Sequence, residues 1–205
     1  MSAKLHLEKL LPLIGPIALL LLWSLILEAK WVKPILLPPP GATLAYMGDS
    51  FMSGAIYGDL FATIKRTFYA FAIATAIGVP LGVILGSNEK IYRSVEFLID
   101  FFRSTPSSAL IPLFMLIFGI TDMNKIAIAA FAAVLVILFN SAYGVMNAKK
   151  TRVNAAKTMG IPTRYIFKDV LLMESLPQTF VGLRMGVSMA LVIVIVAEML
   201  IGSEN

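Results

Sequence analysis

Few side chains in this 205-residue chain could do chemistry, and they are widely spaced. His6 is the only histidine and there is no cysteine. A histidine-based triad would have to draw on the N-terminal tail, and disulfides, thiol nucleophiles and cysteine-based zinc sites are excluded. No His-Glu-x-x-His pair, Gly-x-Ser-x-Gly elbow or Gly-x4-Gly-Lys-Ser/Thr loop occurs, so catalytic residues, metal ligands and a nucleotide site all lack a sequence basis. What remains is a set of polar groups inside apolar stretches. Ser104, Thr105, Ser107 and Ser108 surround Pro106, Asn140 and Ser141 sit together, and Arg184 and Glu198 share one long run. Such groups are costly in a bilayer and face a bundle interior or water. They can solvate a polar solute along a path or hydrogen-bond one helix to another. Ser107, Asn140 and Glu198 are the pathway candidates. Arg184 is fourteen residues from Glu198, about 21 Å along a helix, so the two cannot pair. Arg184 is expected near the cytoplasmic end of its span, snorkelling or bonding a carbonyl. No cofactor is expected.

The elements that must position these groups are membrane helices. Hydrophobic residues make up 59% of the chain and charged residues 14%, well below the ~25% charged of an average soluble domain. A bilayer core of ~30 Å takes about 20 apolar residues as helix. Five stretches suit that length or approach it: Leu10 to Leu27, Thr63 to Leu85, Ser108 to Ile120, Lys125 to Val145 and Thr179 to Leu200. The first follows Lys4 and Lys9 and reads as a retained span rather than a cleaved signal, because it is long and no small-x-small cleavage site follows. Between the first two lie Pro38-Pro39-Pro40-Gly41, expected to be helix-free, and an interfacial helix over Ala42 to Leu60. Two domains follow: 1–61, a span with an extracytoplasmic connection, and 62–205, the transmembrane body. In the second span Gly78, Gly82 and Gly86 recur every four residues, which allows a neighbouring backbone to come close. Pro80 is expected to kink that span. Val95 to Phe102 is a short apolar helix that cannot span.

The longest polar interval between strongly apolar runs is 147–177. Lys149, Lys150, Arg152, Lys157, Arg164 and Lys168 lie in it against Asp169 and Glu174. Ala155 and Ala156 favour helix, Gly160 suits a left-handed helix end, and Pro162 suits the first turn of a second helix. Helix, sharp turn, helix, held between two spans, is a shape for gripping a soluble partner.

This interval resembles the Glu-Ala-Ala loop of permease subunits of bacterial ABC importers. Ala155, Ala156 and Gly160 fit at the right spacing, and Val170 and Leu172 fit the hydrophobic positions. Asn154 stands where the family has Glu, and Met173 where it has Pro. Leu176-Pro177 follows, as in the nitrate, sulfonate and taurine branch, and the runs 109–120 and 182–200 are similar to that branch too. The resemblance covers roughly residues 60–205. It implies an all-α transmembrane bundle of the type I importer permease (MetI-like) fold, with about five spans here and a usual sixth apparently missing. It also implies cytoplasmic ATPase subunits docking on Asn154, Ala155, Ala156, Lys157, Gly160 and Arg164, a second permease subunit, an extracytoplasmic solute-binding protein, and alternating access. The substrate implied is a small solute such as a sulfonate, taurine or nitrate. The chain itself is then not an enzyme, and the ATPase is another polypeptide.

Basic residues near span ends set orientation. With the N-terminus inside, the inner segments hold Lys4, Lys9, Lys90, Arg93, Arg103 and the basic loop; the outer ones hold Lys30, Lys33, Lys65, Arg66 and Lys125. The loop then faces the cytoplasm of a multi-pass bacterial inner-membrane protein, and Ser203-Glu204-Asn205 falls outside. Lipid is the expected surrounding and nucleic acid is not: the charge of +5 comes without a basic tract interleaved with aromatics. Three alternatives stand beside this reading. A truncated permease remnant would dock an ATPase without transporting. An ion-coupled secondary transporter would show midplane acids and an internal repeat. An intramembrane enzyme would need a convergent nucleophile and base.

Overall fold

The computed structural model describes the backbone of residues 2–202 and the side chains of residues 12–149 and 151–202. His6, Lys4, Lys9 and Lys150 as side chains, and Ser203 to Asn205, lie outside the described residues. Every regular element among the described residues is helical. The chain divides into two compact units, Met1–Gly58 and Asp59–Asn205.

In the first unit α1 runs from Ser2 to Glu28 through Pro12 and Pro16, and its described apolar part is Pro12–Glu28. The indole Nε1 of Trp23 donates to Pro38 O at 3.1 Å, pinning the proline run to α1. Helix α2, Pro40–Ser53, starts inside that run. Pro40 stands at the first helical position, where its missing N–H costs nothing, so the helix-free stretch is one residue pair shorter than expected. The helix also ends earlier than Leu60, because Gly54 turns left-handed with φ 80°.

In the second unit α3 (Tyr57–Gly86), α6 (Asp122–Met146) and α9 (Leu172–Ile201) form the core. Three described helices are long and apolar enough to cross a membrane: α3, α6, and the continuous run Thr163–Ile201 that ends in α9. Helix α6 is the axis. The expected glycine stripe on α3 packs against it: a Cβ on Gly82 would stand 2.5 Å from Leu138 O, and one on Gly86 2.5 Å from Ala142 O. On α9 the matching positions are Gly182 and Gly186, where a Cβ would meet Asn140 Cβ and Ile137 Cγ1 at 2.6 Å. Ala70, Ala74, Ala133 and Ala190 complete this small-residue seam, each fully buried. Helices without a hydrophobic drive between them gain contact by letting backbones approach. Helix α3 runs through Pro80 without a break in its assignment.

The expected span Ser108–Ile120 is short unless residues 104–107 lie inside the bundle as irregular backbone, and the helix does break there. Helix α4 (Glu89–Ser104) meets a 3-10 turn (Ser107–Leu110) and helix α5 (Ile111–Phe118) at a bend of 87°. Asn88 starts α4, its Oδ1 accepting from the Lys90 and Ile91 amides. So the helix is sixteen residues long, twice the Val95–Phe102 segment read from apolarity alone. Pro106 ends it by barring the helical conformation at Thr105. Tyr92 and Ile99 pack on Leu138 and Ala142, Arg103 Cζ lies 3.7 Å from the Phe139 ring centre, and Phe102 meets Phe131 edge-on. Thus α4 packs alongside α6, and α5 turns off it at the bend, the form of a broken span or a re-entrant loop. At the break the Ser104 and Thr105 hydroxyls fold back onto Phe101 O, which also accepts from the Thr105 amide at 3.2 Å.

Candidate functional site

The loop between α6 and α9 is built as a rigid corner. Helix α7 (Lys150–Thr158) ends in a Schellman arrangement: the Gly160 amide donates to Lys157 O at 3.0 Å and the Ile161 amide to Ala156 O at 3.1 Å. Gly160 has φ 71°, the conformation that favours glycine. Pro162 lies at the N-cap of α8 (Thr163–Tyr165), one position before the first turn expected for it. A π-helical turn, Ile166–Leu171, then feeds α9; such turns are rare and concentrate at functional sites. Arg152 and Glu174 form an ion pair across the corner.

The six loop residues singled out above do not share one face. Ala155, Gly160 and Arg164 are exposed, and nothing stands within 4 Å of a Cβ built on Gly160. The Arg164 guanidinium covers the Tyr165 ring at 4.7 Å. Ala156 is turned inward and 6% exposed, so it packs the corner rather than offering a contact. Asn154 and Lys157 line a cleft of about 820 Å³ between the loop and α4, together with Tyr92, Glu96, Met146 and Phe167.

The pathway candidates sit inside the bundle. Ser107 opens the 3-10 turn and is buried. Asn140 uses both ends of its amide: Nδ2 donates to Val136 O, and Oδ1 accepts from Gln178 Nε2 at 2.9 Å. Glu198 accepts from Arg66 Nη1 at 2.6 Å and from the Thr63 hydroxyl at 2.8 Å. Arg66 also reaches Asp122 Oδ1 at 2.7 Å, and Lys125, fully buried, donates to Gly202 O at 2.9 Å. One ion cluster therefore ties α3, α6 and α9 at the end opposite the loop. By sequence alone Arg66 and Lys125 read as charges of the outer segments. The signal that could have found Arg66 is its spacing: it stands four residues before Ala70, in register with Ala74, Gly78 and Gly82, on the buried stripe.

A glycine-lined three-helix core, a sharply bent helix pair and a rigid basic corner between two helices long and apolar enough to cross a membrane are the architecture of a multi-pass membrane protein. Residues 78–204 match the family model for the binding-protein-dependent transport system inner membrane component. The chain is 30% identical over 166 residues to a probable ABC transporter permease protein of Brucella melitensis, a match covering 81% of this chain and 68% of that protein. It is 26% identical over 198 residues to the taurine transport system permease protein of Escherichia coli, covering 94% and 72%. With the putative aliphatic sulfonates transport permease protein of Bacillus subtilis it shares 24% over 193 residues, covering 94% and 70%. The chain belongs to this family of ABC transporter permeases. It spans about two thirds of the length of its Brucella relatives. The family's members are membrane components of transporters, not enzymes.

Proposed function

We propose that the chain is the permease subunit of an ATP-driven importer, with two such subunits forming the path and a cytoplasmic ATPase pair docking on the 147–177 corner. The observation that carries this reading is the corner itself. A Schellman turn at Gly160 and the Arg152–Glu174 pair make it stiff enough to pass a push from α7 into α9. Nucleotide-driven closure of the ATPases moves the two corners, and the glycine-seamed helices tip together. An extracytoplasmic binding protein delivers the solute to the opposite end. The N-terminus is inside. What supports that orientation is the run of basic residues in the 147–177 corner. Of the pathway candidates Ser107 is kept for the wall of the path, while Asn140 and Glu198 hold helices to one another. Taurine, aliphatic sulfonates, nitrate and bicarbonate name the cargo of relatives; a small oxyanion or sulfonate is the substrate class we assign here. The first unit, 1–58, supplies the N-terminal helix and the extracytoplasmic connection.

The test is a pull-down of the tagged chain from membranes. An ATP-binding subunit should elute with it, and Gly160→Val should abolish that association while membrane insertion persists. Association unchanged in the variant would sink the docking role of the corner, and a reporter fused after Lys150 reading as external would overturn the orientation.

A further inference from the structure

We infer that Arg184 lines the translocation path and is its contact for the anionic group of the solute, an assignment that rests on the importer reading above. Within α3, α6 and α9 the charged side chains gather at two levels. Arg66, Asp122, Lys125 and Glu198 hold one another at one end. Glu174 with Arg152 marks the other. Arg184 lies between these levels: nine residues beyond Ser175, about 14 Å, and fourteen before Glu198, about 21 Å. Ser175 packs on Gly144, near the end of α6, and Gly182 and Gly186 lock onto Asn140 and Ile137. That register puts Arg184 inside the apolar length of the span, deeper than the cytoplasmic end expected from sequence.

Its direction is as telling as its depth. At 100° per residue Arg184 points away from the face that carries Gly182 and Gly186. It is exposed, and its guanidinium has no carboxylate or carbonyl partner among the described residues. The exposed stripe on which it stands continues through Pro177, Phe180, Ser188, Leu191 and Ile195. The Ser188 hydroxyl donates to Arg184 O at 3.1 Å, so this face carries polarity at one level only. Facing lipid, an unpartnered arginine at such depth is costly. A water-filled path between two permease subunits removes that cost. There the guanidinium offers a planar fork of donors matched to carboxylate, sulfonate or nitrate oxygens.

The absence of cysteine gives a clean test. Arg184→Cys, in the complex with its ATPase, should react with a water-soluble methanethiosulfonate reagent; in Ser188→Cys, one turn along the same exposed face with Arg184 intact, millimolar methanesulfonate should slow that reaction several-fold. Arg184→Gln should lower methanesulfonate- or nitrate-stimulated ATP hydrolysis by about tenfold or more, as loss of a charged hydrogen bond implies, while Arg184→Lys keeps a substantial part. Co-purification of the ATPase should be equal in all four. A thiol in the Arg184→Cys chain that only a lipid-soluble maleimide reaches overturns the assignment in favour of a snorkelling arginine. So does a water-accessible Ser188→Cys thiol that neither methanesulfonate nor nitrate protects, with Arg184→Gln hydrolysing like the unaltered chain. If the unaltered chain brings no ATPase, it is the importer reading that fails.

Discussion

The two ends of the three-helix core are closed by opposite means. At one end Arg66, Asp122, Glu198 and Lys125 knit α3, α6 and α9 with short, largely buried ion pairs. At the other end the helices are joined by an exposed corner, an open cleft of about 820 Å³ and one ion pair whose arginine is 62% exposed. The difference teaches which end holds the bundle together and which is free to engage a partner. Between the ends the glycine seam keeps α6 in backbone contact with both neighbours, so a displacement at the corner is carried along stiff rods rather than absorbed.

Breaking the seam should have the largest effect, because it removes what both ends depend on. A Cβ on Gly82 would lie 2.5 Å from Leu138 O and 2.7 Å from Ser141 Cβ. Neither is the far end of a flexible chain, so α3 must move off α6. Gly82→Leu should cost about 3 kcal/mol or more, seen as loss of folded monodisperse protein in detergent. Gly160→Ala is the contrast. It meets open space and incurs only the left-handed strain of about 1–2 kcal/mol, so the fold should survive. Equal losses in the two variants would erase the distinction between seam and corner.

How much of this was legible follows the same division. The seam was readable, since Gly78, Gly82 and Gly86 announce a packing face by spacing alone. The corner was readable because Gly160 and Pro162 have local meanings that tertiary structure did not override. The bent segment was half legible. Ser108 to Ile120 is too short to span, which points to irregular backbone at 104–107, but nothing in its hydropathy shows the 87° bend or the sixteen-residue, charged α4 before it. The ion cluster was also hidden, because Glu198 finds its cation 132 residues away in sequence, on another helix. Only the register of Arg66 with the alanine–glycine stripe pointed there.

Next in size is the cluster itself. Arg66→Ala leaves Glu198, with a side chain 19% exposed, as an uncompensated carboxylate against Thr63. Breaking a fully buried pair from one side costs about 3–5 kcal/mol; Glu198 keeps some water and the Thr63 donor, so the loss here should fall below that of Gly82→Leu. Removing both charges in Arg66→Met with Glu198→Gln should recover most of that loss. Asp122→Asn should cost clearly less, because its side chain is 52% exposed and water can solvate what remains. Thermal unfolding in detergent ranks the three. If the double variant were as unstable as Arg66→Ala, the cluster would be holding something other than its own charges.

The smallest stability effect belongs to the loop end, and it sharpens the comparison most. Arg152 and Glu174 join α7 to the first turns of α9, with side chains 62% and 13% exposed. A pair open to water on one side contributes at most about 1 kcal/mol, so Arg152→Ala should leave unfolding nearly unchanged. Yet this pair is the one side-chain tie described between the docking helix and the span that carries Arg184. Its loss should loosen the corner without emptying it: the ATPase still co-purifies, but its stimulation by solute falls. The Arg66 variants should behave the other way, losing stability while any surviving protein stays coupled. An Arg152→Ala chain that unfolds early and remains fully coupled would reverse the assignment of the two ends.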